Sequence, residues 1–252
     1  MNFFAPQGSC PSAGVFSAAH VIYVIITVAL IILPVYFTVK FKPSSRERII
    51  RIIAIALIIL ETLKIVTHFL TNEEPNPNSY LPFYFCSIEI YASFLAAFTR
   101  GRLKRLGEVF MMTGGIIGSI LFMIYPASPL KLHPPFHFMN IISFLYHGIM
   151  LYAGILMYLT KTPPLRMKDI GYHIAAVLSV SAIALYFNLK LGTNLMFLSQ
   201  NFPGTFIEPL YNAMPLPVFT TLSALIQSTL PFLAVFGINK AIITYKNKKT
   251  KE

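Results

Sequence analysis

HVIYVIITVALIILPVYFTV, residues 20–39, holds twenty side chains without one acid, lysine or arginine. An apolar run of roughly 18 residues or more is long enough to cross a bilayer as a helix. Six further runs follow along the chain: Ile49–Leu70, Tyr80–Phe98, Gly107–Tyr125, Phe138–Leu159, Ile170–Asn188 and Leu216–Thr244. Hydrophobic residues make up 56% of the 252 and charged residues 12%. A soluble domain carries about a quarter charged residues, so most of this chain is not built for water. The fold expected is all-α, a single membrane domain of about seven spans over residues 1–252. The first apolar run starts late and has no basic region before it, so no cleavable signal peptide is read.

The formal net charge of +11 is distributed by link. Seventeen of the twenty lysines and arginines fall in the first link, the third link, the fifth link and the tail: Lys40–Arg51, Arg100–Arg105, Lys161–Lys168 and Lys240–Lys251. The remaining links hold Lys131 and Lys190, and Lys64 lies within a span. Basic links alternating with nearly neutral ones follow the positive-inside pattern. They place the N-terminus outside and the C-terminus in the cytoplasm of a multi-pass cell-membrane protein. The basic residues then mark topology and meet anionic lipid headgroups, and no nucleic-acid partner is expected. The neutral links are unusual. YPASPLKLHPPF (125–136) carries four prolines and should be extended or kinked. The segment 189–215 is too apolar for a solvated loop and reads as a re-entrant or interfacial lid. GGIIGS (114–119) reads as a patch for close helix packing.

Polar residues inside the spans carry the functional question. LPFYFCSIEIY (81–91) reads as the opening turns of the third span, with Cys86 and Glu89 one turn apart. Six residues in, Cys86 lies ~9 Å below the outer end, and His147 of the fifth span lies ~13 Å deep, at 1.5 Å per residue. Glu61, Lys64 and His68 share one face of the second span. Asn140 lies seven residues before His147, and Gln227 sits in the outer half of the last span. All eight fall in the outer half of the membrane, as though around one polar cavity. Each also has a plainer role. Glu61–Lys64 as a buried ion pair fixes helix register, His68 sits among headgroups, and Asn140 and Gln227 bond between helices. Ionisable groups inside spans cost at least ~2.5 kcal/mol each near the bilayer centre and are retained mostly for function.

Three roles compete for Cys86: inert packing, a disulfide to Cys10, and a nucleophile whose proton His147 takes. No metal site is expected. There is no CxxC, and Pro134 and Pro135 prevent the helix that would align His133 with His137. No cofactor is called for, and no GxSxG elbow supports a serine nucleophile.

LPFYFCS (81–87), FLYHG (144–148), GTNLMFL (192–198) and the F-x-x-A-H of 16–20 come in an order that resembles the YwaF-like bacterial integral membrane proteins. That family is related to the eukaryotic transmembrane protein 164. The resemblance implies a cysteine-dependent membrane acyltransferase or acyl-ester hydrolase, with Cys86 and His147 as its catalytic pair. Membrane lipids would be acyl donor and acceptor. By depth and chemistry, and not by the resemblance, Glu89 or Glu61 would orient the imidazole, Asn194 would be an oxyanion donor, and Lys64 would hold a lipid phosphate. The rival readings are a transporter or permease component using the polar cavity as a solute path, and a non-catalytic lipid-binding scaffold. Oligomeric state is not legible.

Overall fold

A computed structural model describes residues 2–71, 76–160, 164–205 and 207–249. Lys161, Lys251 and the centre of TNEEPNPNS lie outside them. The described residues form helices and connections, with no strand. The helices are α1 (Ala18–Thr38), α2 (Pro43–Thr71), α3 (Pro77–Tyr80), α4 (Ile88–Phe98), α5 (Gly101–Phe110), α6 (Ile116–Ile124), α7 (Ala127–Leu132), α8 (Phe138–Leu159), α9 (Ile170–Leu191), α10 (Ile207–Asn212) and α11 (Leu216–Lys249). A π-helical turn, Met111–Gly115, joins α5 to α6 in one rod.

Among the described residues five helices are long and apolar enough to cross a membrane: Ala18–Thr38, Gly101–Leu132, Phe138–Leu159, Met167–Leu191 and Leu216–Ile242. The other two expected spans take different forms. The second falls in α2, 29 residues long with Glu61 and Lys64 in its later half. The third is not one helix. Its first part is the short α3 and an irregular stretch, 81–87, and only the 11 residues of α4 are regular. At 1.5 Å per residue α4 spans about 16 Å, half of a ~30 Å hydrocarbon core. The expectation of opening helical turns at LPFYFCS is therefore corrected. Pro82 has no N–H to give and holds Leu81 in extended backbone, φ −89° and ψ 115°.

The apolar faces are sorted as lipid demands. On α1, Val21, Ile22, Ile25, Ile26, Leu30, Ile32 and Leu33 all point outward. So continuous an exposed apolar face marks contact with a membrane or a partner. Inside, α8 is packed by α1, α2, α6 and the π-helical turn. Phe110, Met111, Met112, Met150, Val177 and Phe232 fill the core with no side chain reaching solvent.

Side-chain bonds divide the two ends of the bundle by charge. At one end the three basic links meet. Arg46 Nη1 donates to Thr160 O at 3.1 Å, Lys104 pairs with Glu47 at 3.3 Å, and Arg105 reaches Asp169 and Pro164 O. At the other end neutral groups join distant segments. Tyr23 donates to Pro135 O, Tyr125 to Gly204 O, and Asn194 N to Asn78 Oδ1, at 2.7–2.8 Å. The N-terminal segment belongs to this second end, where His137 Nε2 meets Ala5 O and Ala13 N donates to His133 O.

The α4–α5 hairpin closes on a glycine. A Cβ on Gly107 would collide with the backbone oxygen of Ala92 and stand 2.7 Å from Ala96 N. Neither backbone atom can step aside. Gly107→Ala is expected to destabilise by about 1–3 kcal/mol or more, the cost of overpacking. Gly237→Ala in α11, where a Cβ meets nothing within 4 Å, should be neutral or slightly stabilising. Thermal unfolding of both variants in detergent checks the opposite signs.

Candidate functional site

The irregular stretch before α4 resolves into turns. Ser87 N bonds Tyr84 O, Ile88 N bonds Phe85 O, and Glu89 N bonds Cys86 O at 3.2 Å. Cys86 sits in this turn, half-buried, with its thiol free, and Cys10 is likewise free. The Cys86 carbonyl also accepts the Tyr146 hydroxyl at 3.1 Å, which ties the turn to α8. The sulfur lies against α6, where a Cβ on Gly118 would be 3.6 Å from Sγ. GGIIGS is thus a close-packing patch in which Gly118 meets the thiol-bearing turn and Gly115 meets Glu89 of α4.

His147 sits on the same face of α6. Its ring stacks on Phe122, with centroids 3.6 Å apart and planes 3° from parallel, and Tyr146 meets it edge-on at 5.4 Å. Phe122 follows Gly118 by four residues, one turn and about 6 Å along the axis. The sulfur therefore lies against Gly118 and the imidazole against Phe122 one turn on; among the described residues no hydrogen bond joins Sγ to the ring, and Tyr146 meets the ring edge-on while its hydroxyl bonds the Cys86 carbonyl. His147 Nδ1 lies 2.8 Å from Ser143 O. A carbonyl only accepts, so Nδ1 carries the hydrogen and Nε2 holds a lone pair.

The charged neighbours come from α2 and α4. Lys64 Nζ and Glu61 Oε1 are 2.6 Å apart, an i,i+3 pair with Glu61 buried. Glu89 is fully buried, and neither carboxyl oxygen has a hydrogen-bond partner. It lies against the π-helical turn, where a Cβ on Gly115 would come within 2.5 Å of Oε2. The bond that orients the His147 ring goes to the Ser143 carbonyl.

The remaining predicted residues sit elsewhere or are engaged. His68 lies within the electrostatic reach of His133 and His137, toward the neutral end. Asn140 donates to Pro134 O at 2.7 Å and braces the proline turn. Asn194 binds its own loop. Its Oδ1 accepts from Ser199 N and Gln200 N, and its Nδ2 donates to Gln200 O. Gln227 Nε2 donates to Met196 O at 3.0 Å and pins that loop to α11. The 192–198 segment does re-enter protein: Leu195 and Met196 are fully buried, and Met196 takes a left-handed φ of 57°.

His133 and His137 meet although no helix joins them, because His133 ends α7 and His137 caps α8. Their rings stack at 4.1 Å, 5° from parallel. Lone pairs in parallel planes do not converge on one ion. Among the described residues no group of three or more His, Cys, Asp or Glu could hold a metal.

Sequence reading missed Tyr146, Phe122, Gly118 and the Ser143 carbonyl. Tyr146 was visible beside His147 in FLYHG, and Gly118 in GGIIGS, but nothing in either motif said which neighbour each would face.

A model of the TMEM164 family matches residues 15–237. No curated protein and no solved structure matches the chain.

The stacked histidines generate a pH dependence. Burial, with His137 and His68 nearby, lowers His133 to about 4, and burial lowers His137 as well. His137 Nδ1 also accepts the Met139 N–H that caps α8, so a proton there competes with the cap. An unfolded histidine binds its proton near 6.5, so between 6.5 and about 4 the unfolded chain holds more protons. Stability should therefore fall as pH drops through that window. The melting temperature in detergent should drop less for His133→Gln than for the wild type over the same range.

Proposed function

Since the chain belongs to the TMEM164 family, we propose that this multi-pass membrane protein moves fatty acyl groups between membrane lipids through a thioester on Cys86. The observation that carries the reading is the pinned imidazole. His147 keeps Nδ1–H on Ser143 O, which leaves Nε2 as a base on the α6 face that also bears the Cys86 sulfur.

The chemistry follows from that tautomer. Nε2 takes the thiol proton, and the thiolate attacks the carbonyl carbon of an ester-linked acyl chain. When the carbon–oxygen bond breaks, the imidazolium returns the proton to the departing lipid alkoxide, and the acyl group stays on sulfur. A second lipid hydroxyl, or water, then loses its proton to Nε2 and attacks the thioester. The carbon–sulfur bond breaks, and the proton goes back to the thiolate. The Cys86 backbone N–H takes no acceptor among the described residues and is available to the oxyanion. Asn194 has no part in this scheme, because its carboxamide is bound within its own loop. We assign Lys64, paired with Glu61, to attract a lipid phosphate.

We read the bundle as seven passes, with α2 and the broken α3–α4 segment as the second and third. The basic links meet at one end and the N-terminal segment lies at the other. The positive-inside rule therefore puts the N-terminus and the thiol-bearing turn toward the outside of a cell membrane.

Lipid mass spectrometry on cells expressing wild type beside Cys86→Ala tests the proposal. The wild type should change the acyl composition of phospholipids, and Cys86→Ala should not. Loss of a general base typically costs 10²–10⁴-fold, so His147→Gln should slow both acyl transfer and labelling of Cys86 by a lipophilic thiol-reactive probe by about 100-fold or more. Identical lipid profiles from wild type and Cys86→Ala would sink the reading.

A further inference from the structure

A second candidate site lies at the end of the bundle where the basic links meet. A cavity of about 480 Å³ opens beside α5 and the start of α9, lined by Arg105, Arg166, Lys168, Asp169, Gly171 and Tyr172. Its floor is a closed ionic network. Arg105 Nη2 lies 2.5 Å from Asp169 Oδ2 and 3.2 Å from Pro164 O, and Nη1 lies 3.6 Å from Glu108. Asp169 Oδ2 also accepts the Arg166 N–H at 2.9 Å. Both acids are therefore already committed, to a guanidinium whose side chain is only 14% exposed.

The rim differs from the floor. Arg166 and Lys168 are exposed, and among the described residues neither side chain forms an ion pair. Tyr172 adds a phenol, and Gly171 leaves the wall open, since a Cβ there would meet nothing within 4 Å. The apolar helices Gly101–Leu132 and Met167–Leu191 both begin here. The cavity thus lies at the level where hydrocarbon gives way to headgroups. Basic pockets between membrane helices at that level suit phosphate-bearing lipids.

We propose that this cavity binds the phosphate of an anionic lipid headgroup, with Arg166 and Lys168 as its charged ligands and Tyr172 as a hydrogen-bond donor. Arg105 braces the floor and does not itself reach for the ligand. The site is separate from Cys86, so it stands or falls independently of acyl transfer.

The test uses the purified full chain in a neutral detergent. Short-chain phosphatidylglycerol, short-chain phosphatidylcholine and inorganic phosphate are titrated while thermal stability is followed. A ligand that binds only the folded chain raises the melting temperature with concentration. Phosphatidylglycerol should stabilise the wild type well beyond phosphatidylcholine. Arg166→Gln with Lys168→Gln should weaken that effect tenfold or more, in keeping with charge-assisted hydrogen bonds. Lys131→Gln, at the opposite end, and Cys86→Ala should both retain it. Stabilisation by phosphatidylglycerol alone identifies the lipid as the source. Stabilisation by inorganic phosphate as well identifies the phosphate group itself as what is recognised. Equal responses from the double variant and the wild type, or no response to either phosphate probe, would overturn the proposal. Both substituted side chains are exposed, so the unliganded double variant should melt close to the wild type.

Discussion

The hydrogen bond from the Tyr146 hydroxyl to the Cys86 carbonyl joins the two halves of the candidate site. A chain that leaves helical geometry at membrane depth must have its peptide groups satisfied from within the protein. Between Leu81 and Ser87 turns satisfy part of the backbone, and two tyrosine hydroxyls cap further carbonyls, Tyr146 that of Cys86 and Tyr91 that of Pro82. Because Tyr146 and His147 are consecutive, the residue that fixes the cysteine's peptide also carries the imidazole's backbone. The cysteine turn and the imidazole are thus both tied to α8. The break before α4 is what frees the thiol from a helical lattice and lets it face Gly118.

Around this joint the bundle divides its labour by charge. The end with the basic links is stitched by ions: Arg46, Lys104 and Arg105 each bridge one link to another. The opposite end is stitched by tyrosines, asparagines and stacked histidines. A protein bounded by two headgroup layers can afford ionic stitching where its topology places arginine and lysine. Elsewhere it relies on neutral partners whose burial costs less. The same sorting explains why the cavity of the basic end has an ionically closed floor and an ionically open rim.

Much of the architecture was readable as runs of apolar residues. The first, fifth and sixth spans correspond closely to α1, α8 and α9. Periodicity could not show the break at Leu81–Ser87, since Phe83, Tyr84 and Phe85 are as apolar as any helix would require. The signal was Pro82, in a stretch otherwise strong enough to hide it. Among polar residues, chemistry named candidates without assigning their partners. Asn194 has the donor an oxyanion needs, yet the Gln200 carbonyl lies close enough in sequence to occupy it. His147 was legible as a candidate base, but its tautomer depends on a carbonyl four residues back and on the rotamer that reaches it. Phe122 belonged to an unremarkable apolar run, and only the crossing of α6 and α8 made it the surface on which the imidazole rests.

That carbonyl has a further consequence. Many catalytic histidines take their orientation from a carboxylate, which a single base change in the gene can delete. Here the orienting acceptor is a peptide oxygen of the histidine's own helix. No substitution at position 143 other than proline is expected to disturb the helical backbone enough to remove it. The proton inventory of His147 is thereby inherited from secondary structure, and the surrounding side chains are left free to diversify around whatever molecule approaches the sulfur.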